Sequence, residues 1–379
     1  MRSVNIHEKS ITKLIESIDN YIAKGMVPSL AFIYISSKFS VKKLVERLDK
    51  YSFLIVGGTT SGEIYGNEEE GSFEIEGQIV SMLVEVNPKA LALTLVDVDD
   101  EDTYRVGEEI GVWAKKYFED SSIITLTSGL DFDNDSYTQG IVSKGIEYIF
   151  GGATGDDLSL KETLIFTNSR FSNKGVVALA LDRSKIDIIG SRAFGWGGVG
   201  KVRIVTKAIK NIVYEIDGIP AMDFYTQYLD IDSSQMHLVG LEYPLEVRRR
   251  NGQMIYRAVI DFDEELKSLT FAGHVEEKAQ VRISTPRGKS IIKYVEESVN
   301  KSLEENPNFT PELALVFPCC ARKQVLGHLA YLEIEAVQKA SNVPVVGFFA
   351  YGEIGAFPGG YGFHNETFVT AFLEEKVEV

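Results

Sequence analysis

The sequence predicts an α/β fold: mixed sheets flanked by helices, in two domains built from repeated strand–helix–strand–loop–strand units. Three observations predict it. A chain of 379 residues is long enough for two domains and a large core. Apolar residues at helical spacing alternate with short, continuously apolar runs fit for buried strands. One pattern then recurs three times: an apolar strand, a glycine pair or near-pair, and a loop closing on Gly plus a carboxylate. It runs Val56-Gly57-Gly58-Thr59-Thr60-Ser61-Gly62-Glu63-Ile64, then Phe150-Gly151-Gly152-Ala153-Thr154-Gly155-Asp156-Asp157, then Val346-Gly347-Phe348-Phe349-Ala350-Tyr351-Gly352-Glu353-Ile354. Glycine at a strand end lets the backbone turn sharply or approach another group closely. A carboxylate just after such a turn points into whatever the loop encloses.

Taken in order, Ile11, Leu14, Ile15, Ile18 and Ile22 mark a helix over 11–24, and Pro28 punctuates before a strand over 30–35. Ser40 is placed to cap a short helix over 41–48, and 53–56 is the strand entering the first glycine segment. Residues 79–86 and 90–98 read as strands around the turn pair Asn87-Pro88. The unit repeats with a strand over 123–126, a helix over 141–149, the second glycine segment and a strand over 176–181. Its third copy has a strand over 313–317, a helix over 326–340, the third glycine segment and a strand over 368–374. Between the second and third copies, 203–214 and 254–261 read as strands, Pro220 opens a short helix, and 291–303 is an amphipathic helix. Asp217-Gly218 sets a turn, so the domains are expected over 28–218 and 219–379. The most glycine-dense stretch is 194–200.

A net charge of −16 disfavours both nucleic acid and an anionic membrane surface as partners. No run of about 18 apolar residues suits a membrane span, and the N-terminus lacks the apolar run of a signal peptide. Cys319 and Cys320 are adjacent, which fits reduced thiols in a cytoplasm rather than a disulfide framework.

None of the glycine segments has the spacing of a phosphate-binding loop, and Glu63, Asp156 and Glu353 would repel phosphate. Carboxylates beside backbone N–H groups suit an ammonium or hydroxyl ligand; the alternative is that each acid caps its own loop. Arg322, close to the two cysteines, would favour a thiolate, but sequence alone pairs no histidine with either sulfur. His364 and Asn365 follow Gly359-Gly360-Tyr361-Gly362-Phe363 and either line a pocket or hold that loop. The five histidines, at 7, 237, 274, 328 and 364, are too scattered to indicate a metal site. Asp131-Phe132-Asp133-Asn134-Asp135-Ser136 starts like a calcium loop but lacks Gly at the sixth place and Glu at the twelfth, so it reads as a solvated turn.

Several of these residues resemble a known family. The two glycine segments Gly58–Ile64 and Gly151–Asp157, then Pro220-Ala221 with Tyr225, Arg257-Ala258, Leu269–Gly273, Phe317-Pro318-Cys319-Cys320-Ala321-Arg322, Gly352-Glu353-Ile354 and Phe363-His364-Asn365-Glu366-Thr367 resemble a FIST N-terminal domain followed by a FIST C-terminal domain. The resemblance spans the chain from about Pro28 onward. Two departures stand out. The family pattern at the cysteine is closer to Phe-Ser-Cys-Ala-Gly-Arg, and Glu366 stands where Gln is usual. The resemblance implies a sensory module of signal transduction that binds a small ligand such as an amino acid, and in some members haem for nitric-oxide sensing. With no recognisable output domain, the chain is expected to signal through a separate partner protein or to act as a free-standing binding protein.

On this reading a small polar ligand, an amino acid above all, binds between the domains where strand-end loops converge. The expected ligand-binding residues are Thr60, Ser61, Glu63, Asp156, Asp157, Cys319, Arg322, Tyr351, Glu353, His364 and Asn365. Glu63, Asp156 and Glu353 would fix an amine or hydroxyls, Arg322 a carboxylate, and Tyr351 and His364 would wall the site. The alternatives are a cysteine-dependent enzyme, a haem sensor with a histidine ligand and a pure interaction scaffold.

Overall fold

The computed structural model describes residues 1–379 except 68–70, 100–101, 359, 361 and 377–379, and only the backbone of 237–238. Three units in it share one order of elements. The first comprises β1 (Arg2–Glu8), α1 (Ile11–Ala23), β2 (Leu30–Ser36), α2 (Val41–Leu48), β3 (Leu54–Thr60), β4 (Glu63–Asn67), β5 (Gly71–Ile75) and β6 (Ile79–Glu85). The second comprises β7 (Leu91–Asp97), α3 (Thr103–Tyr117), β8 (Ser121–Thr127), α4 (Asn134–Ser143), β9 (Ile149–Ala153), β10 (Ile165–Phe166), β11 (Phe171–Ser172) and β12 (Gly175–Asp182). The third opens with β13 (Ile186–Phe194). An insert follows, running from β14 (Trp196–Gly198) to β22 (Gln280–Pro286) and holding α5 (Ala221–Leu229) and α6 (Met236–Val239). The unit resumes with α7 (Ser290–Glu305), β23 (Leu313–Pro318), α8 (Cys320–Leu326), α9 (Tyr331–Ser341), β24 (Val345–Phe348), β25 (Gly352–Ala356), β26 (Phe363–His364) and β27 (Thr367–Glu375).

Among the described residues these units form three six-stranded sheets with one order, position by position: β1-β6-β2-β3-β10-β11, β7-β12-β8-β9-β25-β26 and β13-β27-β23-β24-β4-β5. The last two strands of each sheet come from a different unit. Unit one sends β4 and β5 to the third sheet, unit three sends β25 and β26 to the second, and unit two sends β10 and β11 to the first. The three sheets are thus closed into a ring of exchanged strands. In each, two parallel strands joined through a helix (β2 and β3, β8 and β9, β23 and β24) lie between antiparallel neighbours.

The strands are apolar on both faces because both faces are covered. Phe32, Tyr34, Phe150, Leu179, Phe317 and Phe348 join one core shared by the inner faces. Ala31, Ile33 and Ile55 pack outward against α1 and α2, Ile123 and Ala178 against α3 and α4, and Ala314 and Val345 against α7 and α9. The insert has its own core, with Val205, Tyr225, Leu245 and Phe271 buried.

Several elements differ from the sequence reading. The glycine pairs lie within β3 and β9 rather than in loops after them. The helix expected over 141–149 is α4, ending at Ser143, because Gly145 turns at φ +74° and Ile149 already begins β9. The helix expected over 326–340 is broken at Gly327, φ +53°, into α8 and α9. The strand expected over 203–214 is a hairpin turning at Lys210, and that over 254–261 breaks at Ala258 into β19 (Met254–Arg257) and β20 (Val259–Asp263). Ser40 does cap α2, accepting from Lys43 N.

Gly57, Gly151 and Gly347 occupy equivalent places, opposite Ile33, Thr125 and Val316. A Cβ on Gly151 would lie 1.7 Å from Thr125 O, and one on Gly347 1.9 Å from Val316 O. A carbonyl held in a sheet cannot swing away as a side-chain tip does. Gly347→Ala is therefore expected to cost at least about 2 kcal/mol, read as a lowered melting temperature. An unchanged melting temperature would refute this account of the glycines.

Candidate functional site

The three strand exchanges meet, and their backbones bond to one another. Gly155 N donates to Thr59 O at 3.0 Å and Asp157 N to Thr60 O at 2.9 Å, tying the second crossover to the first. Ser61 N donates to Phe349 O at 3.1 Å and Phe349 N to Gly62 O at 3.0 Å, tying the first to the third. Tyr351 N donates to Ala153 O at 3.1 Å, tying the third to the second. The sequence-predicted residues Thr60, Ser61, Glu63, Asp156, Asp157, Tyr351 and Glu353 are all gathered at or beside this junction.

Their roles are unequal. Glu63 is buried; its Oε1 accepts from Thr60 Oγ1 and its Oε2 from Gln78 N at 3.0 Å. Burial pushes its carboxyl up to about 7. Asp156 is wrapped by its own loop, accepting from Tyr351 Oη, Ser159 Oγ, and the N–H groups of Leu160, Lys161 and Glu162. Burial opposes ionisation there, but these donors prevail and hold the carboxyl below its ordinary value. Asp157 accepts from Ser36 Oγ at 2.8 Å and from Ser37 N at 3.1 Å.

Register shows why Asp156 stands apart. Glu63 lies opposite Phe348 and Glu353 opposite Gly152; in the first sheet the equivalent residue opposite Gly58 is Ile165. The second carboxylate is thus not the counterpart of the other two. A loop precedes β10, and Asp156 organises that loop.

Glu353 Oε2 accepts from Thr367 N at 3.0 Å, as Glu63 accepts from Gln78 N. Its Oε1 has no N–H or O–H donor, and the Cys319 thiol lies beside it. The next residues diverge most between units. His364 is the register partner of Glu353, where Ile75 partners Glu63. Glu366 precedes β27 where Gly77 precedes Gln78 and β6. Gly77 has φ +68° and Glu366 φ +60°, a left-handed conformation that glycine adopts freely and a glutamate does not. Glu366 is fully buried, neither carboxyl oxygen has a partner, and burial pushes it up to about 8 despite Arg322 nearby. Asn365 is also fully buried, and its Nδ2 has no acceptor.

Arg322 reaches this cluster from behind. Its Nε donates to Glu333 Oε1 at 3.1 Å, its Nη2 donates to the same carboxylate, and its Nη1 donates to Glu366 O at 2.9 Å. The guanidinium expected to meet a ligand's carboxylate is therefore engaged by one of the protein's own. Nor does it generate a thiolate. Cys319 is raised well above its ordinary value, first by its bond with Cys320, then by burial and by Glu366. Both thiols are free and buried.

Two residues missed in the sequence complete the site. Arg257, on β19 of the insert, is fully buried; its Nη2 donates to Asp135 Oδ2 at 3.0 Å and its Nη1 to Asn365 Oδ1 at 3.3 Å. Asp135 belongs to the segment read as a solvated turn. That reading is corrected: Asp133 caps α4 through Ser136 N and meets His274 Nε2 at 3.0 Å, while Asp135 is the buried partner of Arg257. The signal available was the Arg257-Ala258 pair within the family resemblance.

Among the described residues no three His, Cys, Asp or Glu side chains are placed to hold a metal ion. His364 Nε2 faces Gly355 O and Arg192 Nη1, each at 3.2 Å. Burial holds His364 well below its ordinary value, so it is neutral. The Gly359–Phe363 segment before it includes residues 359 and 361, which lie outside the described residues. Among the described residues no helix is long and apolar enough to cross a membrane.

Against known families, residues 29–219 match the FIST N domain and residues 221–356 the FIST C domain. The chain belongs to the FIST family. FIST domains are sensory modules of signal transduction, and this chain shares that general role. The boundary between the two matches falls inside the insert, and the third sheet of this FIST protein draws strands from both. No curated protein matches the chain. Among solved structures, "T. maritima PurL complexed with FGAR" aligns over 98% of this chain and 72% of its own at 10% identity, with a TM-score of 0.21, too weak a likeness to bear on fold or function.

Two outcomes are expected. Glu63 and Glu366 hold protons in the folded state above the ordinary glutamate value of 4.5, so their stabilisation is complete below that value and is lost as pH rises through about 7 and 8. His364, neutral when folded, acts only below its ordinary 6.5. The melting temperature should thus fall between pH 6.5 and 8.5. Glu366→Gln should raise it at pH 8.5 by at least about 3 °C and shrink the difference; an unaltered pH profile would contradict the burial of a proton-holding Glu366. Arg322→Ala leaves Glu333 as an unpaired buried charge and should cost about 3–5 kcal/mol. A variant as stable as the parent in urea would show that the pair is not buried.

Proposed function

We propose that this FIST protein senses a small polar molecule bearing an ammonium or hydroxyl group, most naturally an amino acid, at the third crossover. Glu353 and Glu366 take the ammonium, and Asn365 Nδ2 donates to the carboxylate. The carrying observation is Glu366: a buried glutamate in a left-handed conformation, with both oxygens unpartnered, where the equivalent place in unit one is Gly77. Strain and unmet polar atoms concentrated on one residue are the marks of a site kept for a ligand. Thr60, Ser61, Glu63, Asp156, Asp157 and Tyr351 form the frame, Cys319 lies at the wall, and Arg322 holds the Glu366 carbonyl.

Entry is through β26, a two-residue edge strand whose displacement costs few backbone bonds. The output is the Arg257 node, which joins the insert to units two and three through Asp135 and Asn365. A ligand that engages Asn365 changes what Arg257 is bonded to, and the insert carries that change to a separate signalling partner. We infer a reducing cytoplasm as the setting, in keeping with the two free thiols.

A thermal-shift screen of the twenty amino acids against the purified protein tests this. A ligand of the folded state at a hundredfold excess over its dissociation constant adds about 2.7 kcal/mol. One or a few amino acids should raise the melting temperature, and Asn365→Ala and Glu366→Gln should each remove the shift while still folding. No shift with any amino acid, or a shift preserved in both variants, would overturn the proposal.

A further inference from the structure

A cavity lies outside this junction. It has a volume of about 490 Å³ and runs between β13, the edge strand of the third sheet, and α7, with Phe357 closing one end. An adjoining cavity of about 460 Å³ shares Arg192, Phe194, Ser298 and Lys301 with it and extends the groove to Trp196. Its charges are specific. Arg192 stacks on Phe357, 4.2 Å from the ring centroid, and burial lowers it only to about 10, leaving it cationic at neutral pH. Lys301 approaches from α7. Two acids of α7 also line the groove, but Glu297 is paired with Lys293 at 2.9 Å, and Glu305 lies 3.7 Å from Lys301 itself. A guanidinium on an aromatic ring, with a second cation lining the same cavity, is complementary to a carboxylate with an apolar body.

We propose that this groove binds a small organic monoanion, its carboxylate on Arg192 with Lys301 adding positive charge, and its apolar body between Phe194 and Phe357. The site is distinct from the third crossover and one hydrogen bond away from it, through Arg192 and His364. Occupancy of the groove therefore acts on β26, the edge strand that admits the first ligand.

The chain has two tryptophans, Trp113 and Trp196, so Trp113→Phe leaves Trp196 as a reporter in the groove wall. Full-length protein with this change is titrated with benzoate, its neutral isostere benzamide, and inorganic phosphate. Benzoate should change Trp196 fluorescence saturably, while benzamide and phosphate should not. Arg192→Gln should weaken benzoate about tenfold or more, and Glu366→Gln should leave it unchanged. If Arg192→Gln fails to fold, Lys301→Gln, on the exposed face of α7, decides by a several-fold weakening. An absent response, an equal response to benzamide, a response to phosphate alone, full affinity in Lys301→Gln, or loss in Glu366→Gln would overturn the assignment. The amino-acid screen is read by melting temperature and through Glu366, so either proposal can fail without the other.

Discussion

The fold depends on the mutual contact of three strand exchanges. Each sheet is completed by strands from another unit, so no unit can finish its own sheet. The exchange requires three backbones to pass within hydrogen-bonding distance of one another, at Thr59 and Gly155, Ser61 and Phe349, and Ala153 and Tyr351. That proximity leaves little room for side chains. A Cβ on Gly155 would lie 2.3 Å from Ser61 Oγ, and one on Gly129 1.7 Å from Thr154 O. The glycines permit the crossing, and the crossing closes the ring around the aromatic core of Tyr34, Phe317 and Phe348.

A ring of near-equivalent units supplies three similar environments at its centre, and chemistry there comes from breaking the equivalence. Unit two replaces the crossover acid with Ile165 and uses Asp156 to fasten a loop. Unit one keeps Glu63 but satisfies both of its oxygens and surrounds it with Ile75 and Gly77. Unit three keeps Glu353, leaves one oxygen without an N–H or O–H donor, and substitutes His364 and Glu366 at the places of Ile75 and Gly77. Burial raises the carboxyls of Glu353 and Glu366, with Cys319 adding to the first, and Cys319 is raised by its hydrogen bond with Cys320 and then by burial, so all three favour their protonated forms. An ammonium at the same place would reverse that preference for the carboxyls, so ligand charge and site protonation are coupled.

Much of the ring was legible in the sequence, because periodicity and glycine spacing are local signals. The helix over 41–48, the buried strand at 30–35 and the thrice-used glycine pattern all correspond to elements of the structure. The site was only partly legible, because register decides it and register is not local. Asp156 directly follows a glycine, as Glu63 and Glu353 do, with the glycine segment one residue tighter, yet the loop before β10 moves the true equivalent to Ile165. Glu333 lies on a different helix from Arg322, so their pair is invisible to helical spacing, and Arg322 read as free for a ligand. Asp135 looked like part of a polar turn until Arg257, from the insert, arrived to bury it. The strand Arg2–Glu8 and the helix Thr103–Tyr117 were absent from the sequence reading, although the latter carries Val106, Ile110 and Ala114 on one face.

The central claim is that Glu366 is kept strained and unpaired for a ligand. A crystal structure grown with the amino acid giving the largest thermal shift tests it most directly. The account predicts the ammonium within hydrogen-bonding distance of Glu366 and Glu353, and the carboxylate against Asn365. Density for the amino acid elsewhere, with both Glu366 oxygens bonded to groups of the protein, would contradict it.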